Sequence, residues 1–490
     1  MKLLQSFFSQ TMYYGFSSVL ARLLGFLLVP LYIAYFPAGE YGKVTIFYSV
    51  ITFFAIIFSL AMESTFFRFV NQHENKQEVY STAAIILIFS SALVLLIGQI
   101  ILQVFPKESE YFVYVVWLFL ITFIDTLCVL PFAKLRQQEK ARKFALIKTI
   151  NIILNLSLNL FFIVLCPKLL ALDPDFFYWI NNLYNSSIGI GYIFISNLIA
   201  SGVTLILLFP LIYNKISFNH YSISLTKKML KYAFPLIIAG LAYATNEVLD
   251  KLLIGYYLGT EEAGTYGAAY KLSIFMVLFV QAYRYAVEPY YFNNSKNKYF
   301  VHNYVKIMRY FIIISSTIFL TISLNIEHIM DLLLFYSPYA QEYKKGLQII
   351  PLVLLAHLFL GVYYNLSMWY KLTNQTKYGA FISLMGAGIT ILLNIILIPK
   401  IGYIGSAWAT LICYFSMALT SYILSIKYYF IPYEKIKITF YLILAVLIYL
   451  FSNYFEINSM FYNIILIVLY LSVIFFFENI NKSVNEISEL

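Results

Sequence analysis

Nine charged residues interrupt long apolar runs of this chain: Arg22, Glu63, Asp125, Glu247, Asp250, Lys251, Lys271, Arg284 and Glu288. A charge at the centre of a bilayer costs about 2.5–3.5 kcal/mol on insertion scales, so one that persists faces a partner or a water-filled cavity. The four cations, Arg22, Lys251, Lys271 and Arg284, are candidates for holding an anionic cargo. Lys251 and Lys271 stand about ten residues either side of Glu261, so on adjacent antiparallel helices they reach a similar depth and together suit a phosphate. The five acids, Glu63, Asp125, Glu247, Asp250 and Glu288, are candidates for carrying a coupling proton or cation, or for gating.

Each candidate also has a purely structural explanation. Glu247 with Lys251, and Arg284 with Glu288, are i, i+4 pairs on one helix face and can neutralise each other. Glu63 and Glu288 fall near the inner ends of long runs, where an acid can simply anchor the interface. As a gate, Glu63 would pair with Arg68 and Glu288 with Arg284. Asp125, beside Thr126, can be hydrogen-bonded to a neighbouring helix. Arg22 has no opposite charge one turn away on its own helix, which makes it the strongest single candidate for a cavity role.

The elements that carry these residues are membrane helices. Of 490 residues 61% are hydrophobic and 11% charged, against about 45–50% apolar and about 25% charged in soluble domains. That composition excludes a soluble enzyme and leaves little chain for a tethered catalytic domain. Apolar segments of roughly 20–28 residues recur about fourteen times. Lys and Arg fall about 23 to about 6 in favour of alternate connections, which places those connections and both termini in the cytoplasm. The net charge of +10 is therefore a topology signal, with no nucleic-acid partner implied. The N-terminal apolar run lacks a small-residue cleavage site, and is expected to be a retained helix. The longest outer connections, near Asp173 to Ser186 and Glu327 to Gly346, are too short for an independent domain.

Other chemistries lack their residues. Gly42-Lys43 is followed by Val44 and has no glycine five residues earlier, so no phosphate-binding loop of an ATP-driven pump is present. The five histidines are scattered, and Cys128, Cys166 and Cys413 lie far apart in apolar surroundings. No enzyme activity, metal or cofactor is expected.

An internal repeat organises the chain. Gly39-Glu40-Tyr41-Gly42 recurs as Gly264-Thr265-Tyr266-Gly267, and the same offset of 225 carries Ala61-Met62-Glu63 onto Ala286-Val287-Glu288 and Gly15 onto Gly240. Six helices separate the copies, so both cross the membrane in the same sense, a parallel-repeat arrangement. The fold expected is an all-α polytopic membrane protein: two parallel six-helix bundles around a central cavity lined by helices 1, 2, 7 and 8, plus two C-terminal helices. The lobes run 1–220 and 221–430, with helices 13–14 and a cytoplasmic tail in 431–490.

Three stretches carry a family resemblance. They are Ala21-Arg22-Leu23-Leu24-Gly25-Phe26 through Glu40-Tyr41-Gly42; Phe234-Pro235-Leu236 through Asp250-Lys251-Leu252-Leu253-Ile254-Gly255 to Gly264-Thr265-Tyr266-Gly267-Ala268-Ala269-Tyr270-Lys271-Leu272; and Leu393-Asn394 through Ile398-Pro399-Lys400-Ile401-Gly402-Tyr403-Ile404-Gly405-Ser406-Ala407. The chain resembles, over essentially its whole length, the polysaccharide-biosynthesis flippases of the multidrug/oligosaccharidyl-lipid/polysaccharide exporter superfamily. The resemblance implies a protein of the bacterial inner membrane. Such a protein moves an undecaprenyl-diphosphate-linked oligosaccharide from the cytoplasmic to the periplasmic leaflet, the lipid tail staying in the bilayer. It names the lipid-linked oligosaccharide and membrane lipid as partners, with a polysaccharide polymerase as a further one. Buried cations suit a diphosphate, which needs paired charge and donors. Competing readings are a multidrug cation antiporter of the same superfamily, a lipid II flippase, and a membrane glycan polymerase or ligase. The last usually displays a long outer loop that this chain lacks.

Overall fold

The computed structural model describes residues 26–106, 109–173, 175–213, 216–294 and 300–488. Arg22, Gly15 and most of the first expected helix lie outside them. Among the described residues there is no strand. Within them, twelve helices are long and apolar enough to cross a membrane, or thirteen with the bent pair Thr260–Leu272 and Ile274–Phe292. The remaining expected segment is described only as α1, Phe26–Tyr35. Helix is what a bilayer demands of these runs, because it satisfies every backbone polar group within the segment.

The chain forms two compact units, one ending at Gly264 and one beginning at Thr265. The first contains α1, α2 (Ala38–Ser59), α3 (Met62–Gln72), α4 (Lys76–Leu102), α5 (Glu110–Gln137), α6 (Ala141–Leu160), α7 (Cys166–Leu172), α8 (Tyr192–Tyr213) and α9 (Ile223–Tyr257). Here α5 packs on α4 and α8, α6 on α8, and α2 on α9. Polar residues mark the helix starts: the Asn75 carboxamide accepts from the amides of Gln77 and Glu78, at 3.2 and 3.1 Å, and caps α4. Between α2 and α3 the run breaks at Leu60 and Ala61, whose φ angles of 51° and 47° are left-handed, and α3 starts with Glu63 in its first turn.

After α10 (Thr260–Leu272), the second unit holds α11 (Ile274–Asn294), α12 (Phe300–Leu324), α13 (Ile326–Leu333), α14 (Ala340–Lys344), α15 (Ile350–Leu366), α16 (Met368–Leu372), α17 (Lys377–Ile401), α18 (Tyr403–Tyr428), α19 (Lys435–Tyr454) and α20 (Met460–Ser488). α18 lies against α15 and α17, and α12 against α19. The C-terminal pair α19–α20 is fastened by buried charge. Arg309 of α12, 8% exposed, donates to both Glu434 oxygens at 2.8 and 3.1 Å and lies 3.3 Å from Glu478. The Tyr441 hydroxyl donates to that same Glu478 at 2.6 Å.

Large apolar side chains remain on the outside, among them Phe89, Ile206 and Phe475 at 71, 70 and 69% exposure. In water such faces would drive aggregation. In a bilayer they are the lipid-facing surface, so the chain is a multi-pass membrane protein.

Candidate functional site

In the first unit four helices bring polar side chains together around Asp125. The carboxylate, on α5 and open to its surroundings, is hydrogen-bonded to Ser201 of α8 and is a charge neighbour of Lys148 of α6. Beside it the Asn197 amide donates to the Tyr48 hydroxyl of α2 at 3.0 Å, and the Asn151 amide donates to Thr204 at 2.9 Å. The Lys148 ammonium also stands 4.3 Å from the centre of the Phe132 ring. Lys148 sits seven residues into α6, about 10 Å along its axis. The adjacent Thr126 hydroxyl donates to the Thr122 carbonyl of its own helix at 2.7 Å. Lys148, Asn151, Asn197 and Ser201 were absent from the sequence candidates. Single asparagines and serines in apolar helices carry no periodic signal, and only helix packing collects them.

On α9, Asp250 and Lys251 are both buried. The Lys251 ammonium donates to the two Asp250 oxygens at 2.9 and 3.1 Å and to the Glu247 carbonyl at 2.8 Å. The expected i, i+4 contact of Lys251 with Glu247 is thus made to the backbone oxygen, while the adjacent carboxylate supplies the counter-charge. Lys271 is exposed at the end of α10 and belongs to the second unit.

The two repeat-related acids each reach a cation on another helix. Glu63 is paired with Arg136 near the end of α5. The expected partner, Arg68, instead stacks on the Tyr232 ring of α9 at 4.2 Å. The reason is angular: five residues along a helix turn a side chain well off the face of the first. Glu288 is paired with Lys371 of α16 and keeps Arg284 at 3.6 Å, as expected, and Arg284 also covers the Tyr364 ring at 4.7 Å. In each half, then, an acid from the second span meets a base at the end of the fourth. The partners Arg136 and Lys371 are not related by the 225 offset, so the repeat alone could not name them.

The repeated glycine motif has a packing role within the first unit. A Cβ added to Gly42 would stand 1.7 Å from the Thr260 carbonyl oxygen, and one added to Gly264 would stand 1.9 Å from the Ala38 carbonyl oxygen. Only glycine permits this backbone approach. Gly39 has room, its nearest neighbour being the Thr260 hydroxyl at 3.7 Å. Next to this contact Lys43 pairs with Glu40 at 2.7 Å.

Comparison with known proteins completes the picture. Residues 7–294 match the family described as polysaccharide biosynthesis protein, and residues 235–396 match the MatE family. No curated protein sequence matches the chain. Among solved structures, the lipid II flippase MurJ in an inward closed conformation is similar at a TM-score of 0.72 and 18% identity, covering 95% of this chain and 97% of that one. An inward-facing multidrug resistance MATE family transporter of the MOP superfamily gives 0.61 and 14%, covering 83% and 94%. A MOP superfamily transporter from Pyrococcus furiosus gives 0.54 and 14%, covering 85% and 96%. At these identities the structures establish the fold, whereas the first family match spans more than half of the sequence. The chain therefore belongs to the polysaccharide biosynthesis protein family.

Proposed function

We propose that the protein is a flippase for undecaprenyl-diphosphate-linked oligosaccharide repeat units. It carries them by alternating access from the cytoplasmic to the periplasmic leaflet of a bacterial inner membrane, both of its termini lying in the cytoplasm. The exported units feed surface polysaccharide such as lipopolysaccharide O-antigen or capsule, with a polysaccharide polymerase receiving them. The observation that carries this reading is the polysaccharide biosynthesis match over residues 7–294. The charges in the apolar runs support it, because a diphosphate crossing a bilayer needs fixed donors and paired charge. In this reading Arg22, Lys251, Lys271 and Arg284 serve the anionic cargo, Lys251 exchanging its contact with Asp250 for phosphate oxygens. Asp125, Glu247 and Asp250 are coupling acids, and the Glu63 and Glu288 pairs gate the cytoplasmic ends of their own units.

The test is leaflet exposure of a lipid-linked oligosaccharide in proteoliposomes, read by an added glycosidase. Protein-dependent exposure is expected. If the glycolipid stays in place while a lipophilic cation is exchanged for protons, the antiporter reading replaces this one. A lipid II flippase is the second reading, favoured by the fold likeness along 95% of the chain, and preferential movement of lipid II in the same assay would select it.

A further inference from the structure

At one end of the second unit, the turns after α12 and α19 enclose a cavity of about 340 Å³. Its lining includes Glu327, Lys345, Gln348, Tyr449, Asn453 and Asn458. By the distribution of Lys and Arg this end is the extracytoplasmic one. We propose that this cavity is a sugar subsite, which takes a pyranose unit of the glycan at the exit side.

Three observations lead there. Gln348, Asn453 and Asn458 bring three carboxamides into the lining, each presenting a donor and an acceptor together, as the adjacent hydroxyls of a sugar require. Tyr449 adds an aromatic ring that suits the apolar C–H face of a pyranose. The charges are of both signs: Glu327 is acidic, and of the two lysines in the lining Lys344 is engaged with Asp331 at 2.5 Å. The cavity therefore does not concentrate positive charge as a diphosphate site would.

The walls are also fixed in advance by polar ties across the turns. The His328 ring nitrogen meets the Asn458 carbonyl at 2.7 Å, and the Asn463 amide donates to the Leu324 carbonyl at 2.6 Å. Gln348 donates to the Tyr403 hydroxyl at 3.0 Å, which in turn donates to the Lys345 carbonyl at 2.8 Å. A preformed polar cavity binds without the cost of ordering its own side chains. It also gives α19 and α20 a part beyond packing, since the end of α19 supplies Asn453 and the connection to α20 supplies Asn458.

The subsite rests on the flippase reading for its biological ligand, and its test does not. Saturation-transfer NMR on the full chain in nanodiscs, with the methyl glycosides of glucose, galactose and N-acetylglucosamine, is expected to show saturable binding of at least one. Asn453→Leu and Gln348→Leu should each weaken that binding at least about fivefold, near 1 kcal/mol, at an unchanged melting temperature. Inorganic phosphate should not compete. Absence of saturable binding to all three sugars, full retention of binding in both variants, or displacement by phosphate would each overturn the subsite. None of these outcomes bears on leaflet exposure of the whole glycolipid, so failure of the subsite and failure of the transport reading are separable.

Discussion

Among single residues, Asp125 and Arg22 make the sharpest demands. Asp125 is accessible, hydrogen-bonded to Ser201 and close to Lys148, so a change of its charge is felt across α5, α6 and α8. Asp125→Asn is expected to lower glycan export at least about tenfold, equivalent to about 1.4 kcal/mol, with the protein still present in the membrane. Lys148→Met leaves the acid without its neighbouring cation and should be the more damaging of the two to stability, because an uncompensated charge in an apolar bundle is costly. Export by complementation and melting temperature in detergent check both. Arg22 lies outside the described residues, and its case is chemical. Arg22→Ala should impair export more than Arg22→Lys at equal protein level, since Lys restores the charge though not the bidentate geometry. Equal, full activity of the two variants would assign Arg22 to packing.

For the helices, the relevant quantities are contacts that hold one segment on another. Glu63 and Arg136 are nearly half exposed, with side-chain accessibilities of 44 and 43%, and such pairs contribute about 0–1 kcal/mol. A pair that weak can open and close during transport, which is what a gate needs. Glu63→Gln and Glu288→Gln are each expected to change cysteine labelling at the inner end without preventing insertion, in a variant with Cys128, Cys166 and Cys413 replaced. Glu288 has Arg284 and Lys371 as partners where Glu63 has Arg136, so the two substitutions should differ in size. Unchanged labelling in both would make the acids ordinary interfacial residues. The glycine contact gives an internally controlled comparison: Gly42→Ala forces α2 off the Thr260 carbonyl and should cost about 1–3 kcal/mol, whereas Gly39→Ala, with a 3.7 Å clearance, should melt like the parent.

In the molecule as a whole, the C-terminal helix pair is the part whose attachment depends on a few groups. Arg309 has a side chain 10% exposed and reaches Glu434 and Glu478, so Arg309→Met would take the shared cation from Glu478 and leave Glu434 only Lys437, 3.2 Å away. A loss of about 3–5 kcal/mol is expected, read as a lower melting temperature and as earlier proteolysis between α18 and α19. Glu434→Gln with Glu478→Gln keeps the packing and strands the buried Arg309 instead, so a comparable loss is expected if it is the unpaired charge that destabilises. A much milder loss in the double variant would point to packing.

The amino-acid sequence by itself determined the solvent. Its unbroken apolar runs can bury their backbone polarity only as membrane helices. It also determined the repeat, because glycine spacing and a matched pair of acids survive as local patterns. Partner choice was beyond it. Glu63 with Arg136 and Asp125 with Lys148 are separated by many residues, and no period links them. The approach of Gly42 to Thr260 was equally hidden. Local periodicity reports which face of a helix is apolar, while the identity of the helix that covers it is set by packing among segments of nearly identical composition. Only the tertiary structure decided that.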